Sequence, residues 1–275
     1  IRNPVRNKDD WGGSDAKSSR LRMKWQPGGY DGNYTALLGL SDIERYQGSR
    51  YVSQARETQR QALVDAPVDY HSEARLVSLD QRWQLGERWA LRSISAYVES
   101  DTLSRFDNDY TDQPNGATVQ RERGRDVSQE LRLSYLGDRL QAMVGAYYYD
   151  GVNGDTSEGY LSINGALATT GLCGVEIACS APLGNILFDS GQPSDVQDMA
   201  VFAELDWSLT SRLTLTTGVR VDREENSRVV QTYTSGDSPS AELAVALLQG
   251  AGVVPQDGDF AMARSFSEVL PKVAL

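Results

Sequence analysis

Few residues in this chain stand where chemistry would need them. His71 is the only histidine, so any imidazole base or metal ligand would have to be this one. It lies between a polar loop and a strand pattern with no nucleophile motif nearby, and reads as a solvated rim position. Asp107, Asp109 and Asp112 crowd one loop, the composition of a calcium site. A twelve-residue calcium loop needs Gly at its sixth position and Glu at its twelfth, where this chain has Asp112 and Thr118. A solvated acidic loop is the expectation.

Cys173 and Cys179 are the only cysteines. In a reducing compartment they would be free thiols or half a metal site, but no second Cys pair or nearby His completes a zinc set. A local disulfide pinning a Gly-rich loop in an oxidising compartment is the better reading. Arg105, Tyr110, Arg121, Arg123 and Tyr160 stand near loop bases. Arg offers bidentate donors and Tyr a stacking face, the means to hold an anionic, catecholate-like or sugar ligand. Ordinary rim polarity is the better account of any one of them, so the ligand-binding residues are left unassigned. The Gly-rich stretch 151–159 lacks the strand, loop and Lys context of a phosphate cradle and reads as flexible loop. No convergent acid/base pair is found, so no enzyme activity and no cofactor are expected.

The elements that would position these residues repeat one unit, two alternating strands joined by a short turn and then a long polar loop. Residues 125–136 and 139–150 form one such pair around a break at 137–138, and 198–209 and 212–224 another around 210–211. Long connections follow Tyr46, Ser100, Asp150 and Glu225. Short turns on one side and long loops on the other are the pattern of a transmembrane β-barrel. The strands bear it out: Met199, Val201, Ala203, Leu205, Trp207 and Leu209 share a charge-free face, opposite Phe202, Glu204, Asp206 and Ser208. Leu213, Leu215, Val219 and Val221 oppose Thr214, Thr216, Gly218, Arg220 and Asp222. Val127, Leu131, Leu133 and Tyr135 oppose Ser128, Glu130, Arg132 and Ser134; Leu21, Met23 and Trp25 oppose Arg20, Arg22, Lys24 and Gln26. Tyr34, Ala36, Leu38 and Leu40 continue the apolar face, as do Val77, Leu79, Trp83 and Leu85. The segment from Trp89 to Val98 has no clear phase, because Ile94, Ala96 and Val98 fall out of step with Trp89, Leu91 and Tyr97; a bulge would account for this. Trp25, Trp83, Trp89, Trp207 and Tyr135 all lie near short turns, as an interfacial aromatic girdle requires. The apolar stretch 241–248 predicts a short helix packed within its loop.

The bulk numbers agree. The mean hydropathy is −0.45, and no stretch approaches the roughly 20 apolar residues of a spanning helix. A barrel stays open, since only every second strand residue faces lipid. The net charge of −11 argues against binding nucleic acid. No signal peptide is legible at Ile1, and Leu275 falls inside a strand pattern, so the 275 residues read as an internal piece of something longer.

Several segments resemble the barrel of TonB-dependent outer-membrane receptors: Gln-Glu-Leu-Arg at 129–132, Val-Gly-x-Tyr-Tyr at 144–148, Leu-x-Leu-x-x-Gly-x-Arg at 213–220, and Pro271-Lys272 opening a further strand, in the family's order. The resemblance implies an all-β, antiparallel transmembrane barrel of 22 strands. Residues 1–275 would supply about nine of them, with a plug domain, a TonB-contacting segment and the C-terminal strands outside the chain. It implies active uptake of a scarce ligand, a ferric siderophore or other iron complex foremost, driven through TonB, in the bacterial outer membrane. The partners implied are the TonB complex, outer-membrane lipid and a small ligand. Oligosaccharide or cobalamin uptake, a passive porin-like channel and a soluble β-rich binding protein are the alternatives.

Overall fold

The computed structural model describes residues 2–9, 13–27, 32–45, 61–108, 110–164 and 183–275. They form one antiparallel sheet: β1 (Ser14–Trp25), β2 (Gly32–Arg45), β3 (Asp69–Gln84), β4 (Trp89–Asp107), β5 (Gly116–Leu136), β6 (Leu140–Ser162), β7 (Asn185–Gly191), β8 (Ser194–Thr210), β9 (Leu213–Gly236) and β10 (Gly258–Ala274), with a helix α1 (Pro239–Gly250) between the last two. Strands pair with their chain neighbours, except that β7 and β8 both lie between β6 and β9. Those two are halves of one path. Thr156 pairs with Gly191 and Asn153 with Ser194, an unbroken register interrupted only at Gln192 and Pro193. Proline has no N–H for the ladder, although its carbonyl still accepts from Val229 N at 3.0 Å. The sheet is thus an up-and-down meander of about nine paths, as the sequence repeat predicts.

Connections at one end are short, at 26–31, 85–88, 137–139 and 211–212, and those at the other are long, at 46–68, 108–115, 163–184 and 237–257. The strands, however, run further than the sequence pattern indicates. β4 continues past Ser100 to Asp107, β6 past Asp150 to Ser162 and β9 past Glu225 to Gly236. The stretch 151–159, expected to be flexible loop, is therefore part of β6. Alternation of apolar and polar residues is enforced only where one face meets lipid. Above that level both faces are wet, the pattern fades, and the backbone ladder continues without it. β6 has 23 residues, whereas a tilted strand crosses the hydrocarbon in about 9–11; its outer half stands clear of the membrane.

Directly paired residues share a face, so the registers carry each face across the sheet. One row runs Trp25, Tyr34, Gln81, Ser93, Leu131, Ala146, Val201, Val221, Val269. This is the apolar, lipid-facing side, and every strand face assigned from sequence falls on it. The apolar stretch lies on the long-loop side of this row in β1 (Leu21, Met23) and on the short-turn side in β10 (Pro271, Val273). A belt crossing the ladder diagonally is what strand tilt produces in a barrel. The ambiguous segment of β4 also takes its phase from the registers. Leu91, Ser93, Ser95 and Tyr97 face lipid with Trp89, while Ile94, Ala96 and Val98 face inward, and neither ladder of β4 contains a shift. No bulge is needed, because an inner wall tolerates apolar residues where lipid does not tolerate charge.

Trp25, Tyr34, Trp83, Trp89 and Tyr135 gather at the short turns. Trp25 stacks on Tyr34 with ring centroids 5.3 Å apart, Trp83 meets Tyr34 edge-on at 6.2 Å and donates Nε1–H to its hydroxyl, and Trp89 lies 5.0 Å from Tyr135. Apolar rings with a polar edge suit the boundary between hydrocarbon and water. The buried apolar core of the described residues sits at the opposite end, where Ala62, Val64 and Val68 pack together. The sheet itself is a wall with two exposed faces rather than the lid of a core.

Candidate functional site

The inner face divides into two levels. On its lower level, nearer the short turns, several charges are paired across and along strands. Arg92 donates to both oxygens of Asp80 at 2.9 and 2.8 Å, a bidentate fork held in register by the β3–β4 ladder. Glu130 pairs with Arg132, Asp222 accepts from Arg220 Nε at 2.8 Å, and Lys272 donates to Glu204 at 2.7 Å. Phe202 lies among them. The Arg132 and Arg220 guanidiniums stand 5.9 and 5.8 Å from its ring centroid, and Arg220 is 5.9 Å from that of Tyr147. Phe202 pairs with Gly145 and lies across the place where a Cβ of that residue would be; glycine makes room for the ring.

The upper level is rich in hydroxyl and amide groups. A cavity of about 440 Å³ is lined by Ser100, Thr102, Gln120, Asn153, Asp155 and Arg228, among others. Gly124 opens it: a Cβ there would come within 3.0 Å of Ser100 Oγ and closer still to Asn153 Oδ1. Such a surface exchanges hydrogen bonds with polar ligands, and its charges are mixed, Arg123 and Arg228 beside Glu122 and Asp155. Helix α1 stands beyond it, confirming the helix expected at 241–248. Ser238 caps it, accepting from Ala241 N at 3.1 Å while donating to the Leu183 carbonyl at 2.7 Å. Ala241 and Val245 are its buried positions. At the outer rim Tyr233 donates to Asp259 at 2.8 Å, and that carboxylate holds the phenol above the ordinary tyrosine range.

The residues singled out by type and spacing are mostly not brought together here. Arg105, Arg121, Arg123 and Tyr160 share the parity of the lipid-facing row and point out of the wall, above the apolar belt. Arg105 pairs with Asp69 at 3.0 Å and Arg123 with Asp101 at 3.0 Å. Tyr110 lies in the loop after β4, where its backbone N–H donates to Asp107. His71 falls within β3, outward-facing and half exposed between Asp42 and Glu73, in keeping with a solvated rim. Cys173, Cys179 and Asp109 lie outside the described residues. The inner cluster around Phe202 escaped sequence reading because its members are scattered over four strands. The signal available was the charged residues on the opposite parity of each apolar strand.

Asp107 has a role other than a calcium ligand. It is fully buried and its carboxylate accepts from Ala66 N at 3.3 Å and Tyr110 N at 2.7 Å. It thereby ties the packed segment 61–68 to the end of β4. Leaving a buried N–H without a partner costs about 1–3 kcal/mol. Asp107→Ala is therefore expected to raise hydrogen exchange at the Ala66 and Tyr110 amides while leaving the β4–β5 ladder protected. Unchanged exchange at both amides would refute the clamp.

An antiparallel meander with a lipid-facing belt, aromatics at short turns, long loops opposite and a charged inner wall defines the class, the wall of an outer-membrane-type β-barrel. The chain belongs to the TonB-dependent receptor family: the family model described as "TonB dependent receptor-like, beta-barrel" matches residues 7–275. Among solved structures it is similar to the ferric yersiniabactin uptake receptor FyuA from Yersinia pestis, with 16% identity and a TM-score of 0.68 over 98% of this chain and 36% of that one. It is also similar to the ferric citrate transporter FecA in its unliganded form, with 14% identity and a TM-score of 0.56 over 95% of this chain and 33% of that one. The chain thus spans about a third of the length of these receptors, and at such identities the likeness is one of fold. No match was found among curated protein sequences.

Proposed function

We propose that residues 1–275 form part of the barrel wall of an outer-membrane receptor that takes up a scarce ligand by TonB-dependent transport, the ligand being a ferric siderophore or a similar iron complex. The family match over 7–275 carries this reading, and the ligand class is taken from the names of the two receptors whose fold it shares. A plug and the remaining strands would come from the rest of the protein. The chain's own residues have distinct parts in this scheme. The paired charges of the lower inner wall, Asp80 with Arg92, Glu130 with Arg132 and Asp222 with Arg220, offer fixed hydrogen-bonding groups to whatever fills the lumen. The hydroxyl-lined upper level and the long loops meet the incoming ligand first.

Deletion of the complete gene is expected to abolish growth on one ferric siderophore as sole iron source, and loss of TonB is expected to do the same. Growth dependent instead on cobalamin or an oligosaccharide would move the ligand to that class. Uptake that persists without TonB would point to a passive channel.

A further inference from the structure

We propose that the outward face of β5 binds the phosphate groups of outer-leaflet lipid, through Arg121, Arg123 and Arg125. The inference rests on the outer-membrane reading given above. These three arginines alternate with Glu122 and Gly124, so all three share the outward face with Val127, Leu131, Leu133 and Tyr135. They start one outward position beyond Val127, where the apolar belt of this strand ends. At about 6.8 Å for every two residues, the ladder runs from about 7 Å to about 20 Å along the tilted strand beyond that boundary, the level of lipid headgroups. All three side chains are exposed.

Their own carboxylate partners are too few. Arg123 and Arg121 share a single one, Asp101, at 3.0 and 3.9 Å. Arg125 makes no ion pair among the described residues. Its cross-strand neighbour on β4, Glu99, lies 3.8 Å from Arg75 instead. On the other flank the residues opposite the three arginines are Val152, Gly154 and Thr156. These are small and uncharged, and they leave that side of the ladder open. Arg75, one strand beyond β4 and also outward, is already paired with Glu73 at 3.9 Å and Glu99 at 3.8 Å, which leaves the ladder to the three arginines of β5. In a chain of net charge −11, a cationic ladder placed at this height and nowhere covered by protein among the described residues is matched by a phosphorylated headgroup. A guanidinium engages phosphate oxygens through two parallel N–H donors.

The test uses the full-length protein in detergent with bis-phosphorylated lipid A, dephosphorylated lipid A, phosphatidylcholine and inorganic phosphate as probes, read by native mass spectrometry. Wild type is expected to retain the bis-phosphorylated lipid, and Arg121→Gln/Arg123→Gln/Arg125→Gln to lose at least tenfold of that affinity. The single Arg125→Gln variant, at an exposed and unpaired position, is expected to lose part of it without affecting folding. Ligand uptake should be unchanged in both. Equal retention by wild type and the triple variant, or by phosphorylated and dephosphorylated lipid, would overturn the proposal. So would binding of inorganic phosphate that lipid does not displace. A protein that inserts and transports but shows no such preference would overturn this inference alone, whereas one that fails to enter membranes would overturn the receptor reading with it.

Discussion

Val201→Arg is expected to cost about 2–4 kcal/mol, the range for a cation facing the middle of the bilayer. Val201 lies in the outward row between Ala146 and Val221, two residues from Met199 and Ala203 on the same face. It is 59% exposed, and in a membrane protein that exposure is to hydrocarbon. An arginine there would have to snorkel past at least Met199 to reach Gln197 and the headgroup level. Asp195, two positions further along the same outward parity and beyond the belt, supplies the control: Asp195→Arg should change stability by less than about 0.5 kcal/mol. Urea unfolding of the full-length protein in lipid vesicles would measure both. Equal, small effects at the two sites would refute the assignment of this face to lipid.

Gly145→Val should be nearly as damaging, and for a reason located on the other face. The added Cβ would enter the Phe202 ring and come within 2.9 Å of the Leu131 carbonyl oxygen. The ring could yield only by leaving Arg132 and Arg220, both of which hold it from within 6 Å. Overpacking of this kind typically costs about 1–3 kcal/mol, and loss of two cation–π contacts adds about 0.5–1 kcal/mol each. The diagnostic measurement is a double-mutant cycle. Phe202→Ala alone should destabilise modestly, and in its background Gly145→Val should become far milder, because the clash has lost its partner. A Gly145→Val penalty that is the same with and without Phe202 would mean that the backbone contact with Leu131 alone decides, and that the aromatic cluster is incidental.

The lipid-facing half of this molecule was legible residue by residue. Leu131, Val201 and Val221 were placed on one face from their spacing, and the registers bring them into one row. The girdle of Trp25, Trp83, Trp89 and Tyr135 was likewise read correctly from its distance to the turns. The candidate ligand residues fared differently. Arg121 and Arg123 were noted for chemistry near a loop base, but a strand extending to Gly116 fixes their parity and turns them outward. Asp107 was noted for its acidic neighbours and turned out to be buried under a segment some forty positions away in sequence.

The motifs of the chain resembled the family that the match over 7–275 shows, and its periodicity alone determined the class of fold, the alternation of the transmembrane spans and the asymmetry of turns and loops. These follow from a local rule, that a residue facing hydrocarbon cannot carry charge, and a local rule leaves a periodic trace in the chain. Only the tertiary structure decided the phase of β4, the extension of β4, β6 and β9 beyond the membrane, the union of β7 and β8 around Pro193, and the clustering of Arg132, Gly145, Phe202 and Arg220. Each of these depends on hydrogen-bond register between strands and on contacts among residues far apart in sequence. In water-filled surroundings neither face is constrained, so nothing in the order of the residues records them.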